Sequence, residues 1–228
     1  SLDTSPTSAI MRGHKKYFDQ IEQLTVDQFE REEEIVDSFI KRLNAIDQNK
    51  LTNREKVTHG MLEFALSSNK DSLLDRNWEF GAGVSGFTGF LIDYNRLMFI
   101  PDSESADLML KRLELYKRLY TQIAEVQKVG LNNNRVATER NLLRTIDQLE
   151  NYLASSLDQD PLLLVNFSPE ISDTEISEWK NKAINIIDSN IRPTVSAYLD
   201  QLKTDHLPKG RGDDKCGIMW IDGGEESY

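Results

Sequence analysis

Three histidines and one cysteine are the side chains of this 228-residue chain best suited to metal binding or nucleophilic chemistry. His14, His59 and His206 lie far apart in the sequence. A helical zinc peptidase needs two histidines four residues apart with an adjacent Glu, because that spacing places both imidazoles on one helix face over one metal ion. None of the three histidines has a second one at that spacing, so we expect no metal ligand and no cofactor in this chain. His59 lies beside a predicted apolar stripe and is interpreted as a structural or surface histidine rather than a ligand.

No complete catalytic set is visible elsewhere, and we therefore name no catalytic residue. The chain has neither a G-x-S-x-G elbow nor a G-x-x-x-x-G-K-[ST] loop, although a Ser, a His and an acid brought together by folding stay an open alternative. Gly81, Gly83 and Gly86 match G-x-G-x-x-G, but no β-branched strand leads into them. We interpret these glycines as sites of close backbone packing rather than as a nucleotide site.

Composition excludes several classes of partner. The net charge of -11 argues against nucleic acid and anionic lipid, which need clustered Lys and Arg. No apolar run is long enough to span a bilayer, so no transmembrane segment is expected. The single cysteine, Cys216, excludes an internal disulfide and is predicted to be a buried, inert thiol.

The apolar periodicity predicts an all-α fold, an antiparallel array of long helices with a short irregular or β segment at the C-terminus. Capping boxes are expected at three starts: Thr25 with Gln28, Thr52 with Glu55, and Ser172 with Glu175. The predicted helices cover about 25–47, 52–73, 102–130, 136–153 and 172–206, after a short one near 7–11.

Particular residues are expected to shape these helices. Gly130 is expected to stop the third long helix, and Pro193 to bend the last one. The apolar stripe of the first long helix is expected to face a core, with Glu30, Glu32, Glu33 and Glu34 on a solvated face, and the second long helix has an apolar stripe through Val57, Met61, Leu62, Ala65 and Leu66.

The C-terminal part is predicted to differ from the helical body. Residues 209–215 form a polar loop whose Arg211-Gly-Asp213 tripeptide is interpreted as chance. Ile218–Ile221, before Asp222-Gly-Gly224, predict a short strand entering a turn. The resulting division is an irregular segment 1–24, a helical domain 25–208, and a loop with a short strand at 209–228.

The order of several short motifs resembles the N-terminal half of the bacterial domain-of-unknown-function family 885, whose members are described as candidate lipoproteins related to helical zinc metallopeptidases. These motifs run through most of residues 30–228; each is short, and their order carries the resemblance. The register of the last one is weakened by Ile221, which stands where that family's turn has Pro. They are the residues 39–47 with Leu51-Thr52, 110–113 leading to Gly130, 146–149, Asp160-Pro-Leu162, Arg192–Leu199 leading to Leu207-Pro208, and 217–228.

The resemblance implies a helical wall of a peptidase-like cleft. The family's His-Glu-x-x-Pro-Gly-His type of zinc motif lies downstream of the stretch where this chain ends, so zinc is expected in the intact parent and the missing C-terminal portion is the expected partner. Carried over by motif position, Gly223, Gly224 and Tyr228 are expected near a substrate, a peptide or small amide. The resemblance also implies the bacterial cell envelope or periplasm.

Two function classes follow. The chain is either the noncatalytic N-terminal portion of a zinc-dependent hydrolase or a self-sufficient helical interaction or scaffold module. Nucleotide binding through Gly81–Gly86 is a third, less favoured hypothesis.

Overall fold

The all-α prediction is confirmed in the computed structural model, which describes residues 5–80 and 95–225. Two very short parallel strands, β1 and β2, pair Phe99 with Asn166 and Ile100 with Phe167. In chain order the elements are α1 (Pro6–Met11), α2 (Val26–Asn44), α3 (Asn53–Leu74), β1 (Phe99–Ile100), α4 (Ser103–Glu114), α5 (Tyr116–Asn132), α6 (Glu139–Ala154), β2 (Asn166–Phe167), α7 (Asp173–Ile186) and α8 (Arg192–Gln201).

Side-chain caps start the long helices where the sequence places them. Thr52 and Ser172 each form the full reciprocal box, accepting from the amide three residues on while that residue's Glu side chain accepts from the cap amide. Thr25 makes only half of the predicted box: its hydroxyl accepts from the Gln28 amide, whereas the Gln28 side chain donates to Glu32. Each cap satisfies amides that have no partner inside the helix.

The core lies between α5, α6 and α8, with α7 packed on α4. Its centre consists of aromatic and aliphatic side chains that are almost completely buried, among them Tyr116, Leu119, Tyr120, Ile123 and Tyr198. Burial of this apolar area is the main source of stability for such a helix array.

A fully buried arginine ties the N-terminal segment to α4. Arg112 donates to the backbone carbonyl of Gln20 and, at 2.6 Å, to the Thr7 hydroxyl. Its Nη2 also lies 3.8 Å from Glu22 Oε2. A buried charge needs such partners, so α1 and the turn after it are held against α4.

The third predicted helix is divided, and Gly130 does not stop it. Leu115 separates α4 from α5, where its amide donates to the Arg112 carbonyl three residues back at 3.0 Å. Neither Gly nor Pro marks this point in the sequence. Gly130 lies inside α5, which ends at Asn132. A side chain at this position would overlap the carbonyl of Glu79, which explains why the residue is glycine.

The last long helix contains two π turns in place of a single bend. They cover Ile187–Ile191 and Leu202–His206, and each ends two residues before a proline, Pro193 or Pro208. A proline ring clashes with the carbonyl four residues back. A wider turn relieves that clash, which explains why both π turns precede a proline.

The predicted strand at Ile218–Ile221 is wrong. Residues Ile218–Trp220 form a 3₁₀ turn, and the two described strands lie instead at 99–100 and 166–167. The 3₁₀ turn closes with the Ile221 amide donating to the Ile218 carbonyl at 3.0 Å. The apolar run 218–221 therefore turns instead of extending.

Two burial predictions are also wrong. Cys216 is exposed, because it lies in the surface loop after α8. The predicted stripe of α2 is covered only in part: Val36 and Leu43 are buried, whereas Phe39 is 47% exposed. On α3, Met61 of the apolar stripe and Phe64 outside it are 68% and 74% exposed. α3 packs chiefly on α2 and not on the core, so the two helices form a hairpin with apolar side chains on its surface.

None of the helices in the described ranges has the length and apolar character that a bilayer span requires. Gly81, Gly83 and Gly86 lie outside the described residues.

Candidate functional site

The predicted glycines 223 and 224 lie in a turn that needs glycine for conformational reasons. Gly223 has a φ of +73°, which L side chains rarely adopt. A Cβ on Gly224 would overlap the carbonyl oxygen of Ile218, and the Gly224 amide donates to the Ile221 carbonyl at 2.9 Å. The third predicted residue, Tyr228, lies outside the described residues.

Arg135 joins this turn to two other segments. One guanidinium nitrogen donates to the carbonyl of Asp222, and another donates to the carbonyl of Asp75 at the end of α3. Its Nε lies 2.6 Å from Glu79 Oε2. Neighbouring Asn134, at a φ of +54°, donates to the Asp222 carboxylate at 3.3 Å.

Glu79 is the anion at the centre of this corner. Its side chain is fully buried and also pairs with Arg76, whose Nη2 lies 2.7 Å from Oε1. The Asn133 amide group donates to the same oxygen at 3.3 Å. Glu79 thus lies between two guanidinium groups beneath the turn, and Asp75 and Asp222 are the other acids of this corner.

The contacts of this corner join the turn at 222–224 to the end of α3 and to Glu79. Each oxygen of the Glu79 carboxylate lies within ion-pair distance of an arginine. The two terminal nitrogens of Arg135 donate to backbone carbonyls, whereas its Nε lies close to Glu79 Oε2 without the geometry of a hydrogen bond. The arrangement therefore fixes the path of the chain at residues 222–224.

Arg211 holds the loop that leads to the turn. Its Nε donates to the Val136 carbonyl at 2.7 Å, and its Nη1 donates to the carbonyls of Lys215 and Gly217 at 2.6 Å each. Partial burial lowers the pKa of Arg211. These bonds give the arginine of the Arg-Gly-Asp tripeptide a structural role.

A second buried cluster brings together two of the motifs that carry the family resemblance. Asp160 accepts from Arg192, whose Nη2 lies 3.1 Å from Oδ2, and its other oxygen accepts from the Leu162 amide at 3.0 Å. Arg192 also donates to the Ser155 carbonyl at 2.8 Å and lies over the Tyr152 ring. Burial, and next the charge of Asp160, raise the pKa of Tyr152.

The histidines are dispersed. His14 is exposed near Tyr17, and His206 is buried with its ring nitrogens 3.3 Å from the carbonyl oxygens of Gln201 and Gln127. Buried His59 lies 3.2 Å from the Leu43 carbonyl, as a structural histidine would. Glu63, four residues on, lies 3.9 Å from its Nδ1, an acidic neighbour that the sequence-based interpretation overlooked.

Zinc does not fit these residues. Within 5–80 and 95–225, no three His, Cys, Asp or Glu side chains come together as a metal site would require. A lone His59–Glu63 pair offers two ligands, where a zinc site needs three or four.

An apolar groove of about 770 Å³ runs along the α2–α3 hairpin. Ile35, Phe39, Ile46 and Leu62 line it, and each is exposed by 40–48%. Glu32 and Asn69 lie at one end, and Arg42, placed over the Phe39 ring, lies towards the other. The sequence predicts the stripe but not its openness, because periodicity does not say what covers it.

Sequence reasoning missed the Glu79–Arg135 corner altogether. The two residues lie 56 positions apart, and neither belongs to a recognisable motif. The single local signal is the Asn run 132–134 before Arg135, since Asn tolerates the left-handed backbone observed at Asn134.

Comparison with known proteins adds a family and a fold. The family model described as bacterial protein of unknown function (DUF885) matches residues 6–228. A solved structure, "the putative lipoprotein from Colwellia psychrerythraea", is similar with a TM-score of 0.84 at 14% identity, covering 100% of this chain and 42% of that chain. This chain thus spans less than half the length of that solved chain, and at this identity the likeness establishes the fold alone. No curated protein matches the chain.

Proposed function

The chain belongs to the DUF885 family of bacterial proteins of unknown function, and from that premise we propose that it is the noncatalytic N-terminal helical portion of a longer hydrolase. In this proposal the parent resembles zinc metallopeptidases, and the helices of this chain form one wall of its substrate cleft. The observation that carries the proposal is the match of this whole chain to 42% of a longer solved chain.

The corner at Arg135 is the part of the chain that we place nearest the cleft. Gly223 and Gly224 lie in a turn with little side-chain bulk, fixed from beneath by Arg135 and Asn134. Gly223 is exposed, so the absence of a side chain there would let a substrate backbone approach closely, whereas Gly224 is buried against the Ile218 carbonyl and shapes the turn. Gly223, Gly224 and Tyr228 are accordingly the proposed substrate neighbours, for a peptide or a small amide.

The metal belongs elsewhere in this proposal. The described residues do not form a zinc site, so zinc would be held by residues of the parent outside this chain. An envelope location is part of the same proposal, supported by the name of the solved relative, a putative lipoprotein.

Metal content and hydrolysis test the proposal directly. The isolated 228-residue chain is expected to retain no stoichiometric zinc after dialysis and to cleave no peptide or amide substrate. A longer polypeptide that continues beyond Tyr228 is expected to carry a His-Glu-x-x-x-x-His or similar helix, to bind zinc and to hydrolyse such substrates. Stoichiometric zinc with hydrolysis by the isolated chain, or a natural reading frame ending at Tyr228, would overturn it.

A second candidate function is a helical interaction module without enzymatic activity. The open apolar groove of the α2–α3 hairpin favours it, since exposed apolar patches of this kind mark binding surfaces. Cooperative unfolding of the isolated chain together with a specific binding partner, and no hydrolysis by any longer form, would favour this candidate over the first.

A further inference from the structure

We propose that the groove of the α2–α3 hairpin binds the same hairpin of a second copy of this chain, with the two hairpins antiparallel. The inference concerns assembly and stands apart from the cleft proposed above. It depends on the exposure, the spacing and the charge pattern of the groove.

The groove is an unusually apolar surface for an exposed hairpin. Phe39 lies near its middle with about half of its side chain in water, and Ile35 and Ile46 flank it along α2. Leu62 contributes from α3. A second apolar helical surface packed on the groove would bury these side chains and remove them from water.

The spacing of the α2 residues is that of a coiled-coil seam. Glu32, Ile35, Phe39, Arg42 and Ile46 follow one another at steps of three and four residues, the a and d positions of successive heptads. On α3, Leu62, Ala65 or Leu66, and Asn69 repeat the same steps. A hairpin of two such helices presents one half of a four-helix bundle, and a second hairpin completes it.

The charges select the antiparallel arrangement. The seam carries Glu32 towards the base of the hairpin and Arg42 towards its tip. Around them the base is mostly acidic, with Glu30, Glu33 and Glu34, although Lys70 neutralises Asp37 there through an ion pair. The tip is mostly basic, with Lys41, Arg42, Lys50, Arg54 and Lys56 against two acids, Glu55 and Asp47, of which Asp47 lies 3.8 Å from Lys50.

A parallel pair would bring like charges together, whereas an antiparallel pair brings the basic tip of each hairpin to the acidic base of the other. One register satisfies spacing and charge together. It places Arg42 beside Glu32 of the second copy and Phe39 against Ile35 of the second copy, and two-fold symmetry repeats both contacts. In antiparallel coiled coils the a positions of one helix face the d positions of the other. In this register Phe39, an a position, faces Ile35, a d position, and Glu32, an a position, faces Arg42, a d position.

Analytical ultracentrifugation of the full 228-residue chain, from low to high micromolar concentration, tests the inference. The mass is expected to rise from monomer to dimer with concentration. Phe39→Glu is expected to leave a monomer, because it buries two charges at the seam centre. The matched control Phe64→Glu changes an even more exposed phenylalanine of α3 outside the groove and is expected to leave dimerisation unchanged.

Charge reversal tests the register. Glu32→Arg and Arg42→Glu are each expected to weaken the dimer by about tenfold or more, since each opposes like charges across the seam. The double variant, with both reversals, is expected to recover most of the lost affinity. Circular dichroism and thermal unfolding of every variant establish that the changes act on association and not on folding.

Three results would overturn the inference. They are a monomer at every concentration, an equal effect of Phe39→Glu and Phe64→Glu, and a double charge variant no tighter than either single one. The first would leave the groove to a different occupant, such as another part of a longer polypeptide.

Discussion

Arg192 and Asp160 form an ion pair from which water is nearly excluded, with Nη2 3.1 Å from Oδ2 and side chains that are 14% and 0% exposed. The pair links the start of α8 to the chain that follows α6, because Arg192 also donates to the carbonyl of Ser155. It holds together two segments that lie 32 residues apart in the sequence.

Removing one charge of this pair is expected to destabilise the fold strongly. Asp160→Asn keeps the shape and an acceptor for the Leu162 amide but leaves Arg192 without its anion. We expect the free energy of unfolding, measured by urea denaturation, to fall by about 3–5 kcal/mol. The control Asp158→Asn changes an exposed neighbour and is expected to stay within about 0.5 kcal/mol of the parent. Similar losses for the two variants would contradict a buried, energetically coupled pair.

Two helical glycines are expected to respond to alanine with opposite signs. Gly60 in α3 has open space where a Cβ would stand, so Gly60→Ala should raise the free energy of unfolding by about 0.5–1 kcal/mol. Gly130 in α5 faces the Glu79 backbone, and Gly130→Ala should lower it by about 1–3 kcal/mol because that backbone must move. Thermal and urea unfolding of both variants measure the difference. A stabilising Gly130→Ala would contradict the close approach of these two segments.

Loss of the Arg135 fork is expected to release the C-terminal turn. Lysine cannot reach Asp222, Asp75 and Glu79 together, because it lacks the planar fork of donors. In Arg135→Lys, hydrogen exchange of the amides in 218–224 should become faster while exchange in the α5–α8 core stays slow.

Arg140→Lys provides the comparison for Arg135→Lys. Arg140 pairs with Asp213 on the surface, with both side chains more than 60% exposed, so this variant should leave exchange at the turn unchanged. Equal exchange profiles for the two variants would show that Arg135 does not hold the turn.

Acid is expected to weaken the start of α4. The ammonium of Lys15, together with hydrogen bonds from Ser105, holds the pKa of Asp102 at about 2, below its ordinary value of 3.8. Since the folded-state pKa is depressed, the stabilisation is present above pH 3.8 and is lost as the pH falls through about 2.

The parent and Asp102→Asn are therefore expected to differ most in stability above about pH 4 and to converge towards pH 2. Asparagine keeps an acceptor for the Ser105 amide but cannot pair with Lys15. Thermal unfolding across this range measures the difference. A gap that is constant from neutral pH to pH 2 would mean that the charge of Asp102 contributes nothing.

Local features of the fold follow from the sequence because their causes are local. The hydroxyls of Thr52 and Ser172 and the Glu three residues after each suffice to predict two complete capping boxes. The Thr25 box fails in part because the Gln28 side chain, whose oxygen would accept from the Thr25 amide, instead donates through its nitrogen to Glu32. The division at Leu115 has no local signal, so it was not predictable.

Features that depend on tertiary contacts do not follow from the sequence. Glycine often ends a helix, so the sequence predicts a stop at Gly130. The structure shows that glycine is needed there because the Glu79 backbone packs against it. The stripe on α2 and α3 has the pattern of a buried face, yet burial requires a covering surface that the pattern does not specify. Of the three predicted substrate neighbours, Gly223 and Gly224 share a turn whose clamp, Arg135, comes from a distant segment.

The π turn at Ile187–Ile191 also bears on how the length of the chain can change. The amide of Arg192 donates to the carbonyl of Ile187, five residues back, whereas in an α-helix each amide donates to the carbonyl four residues back. The turn therefore holds one residue more than the helix needs, and α7 and α8 on either side keep their buried faces in phase. Deleting one residue among 188–190 would convert the π turn to α-helix while Ala183 and Val195 stay buried, so this is a place where the polypeptide can shorten without repacking its core.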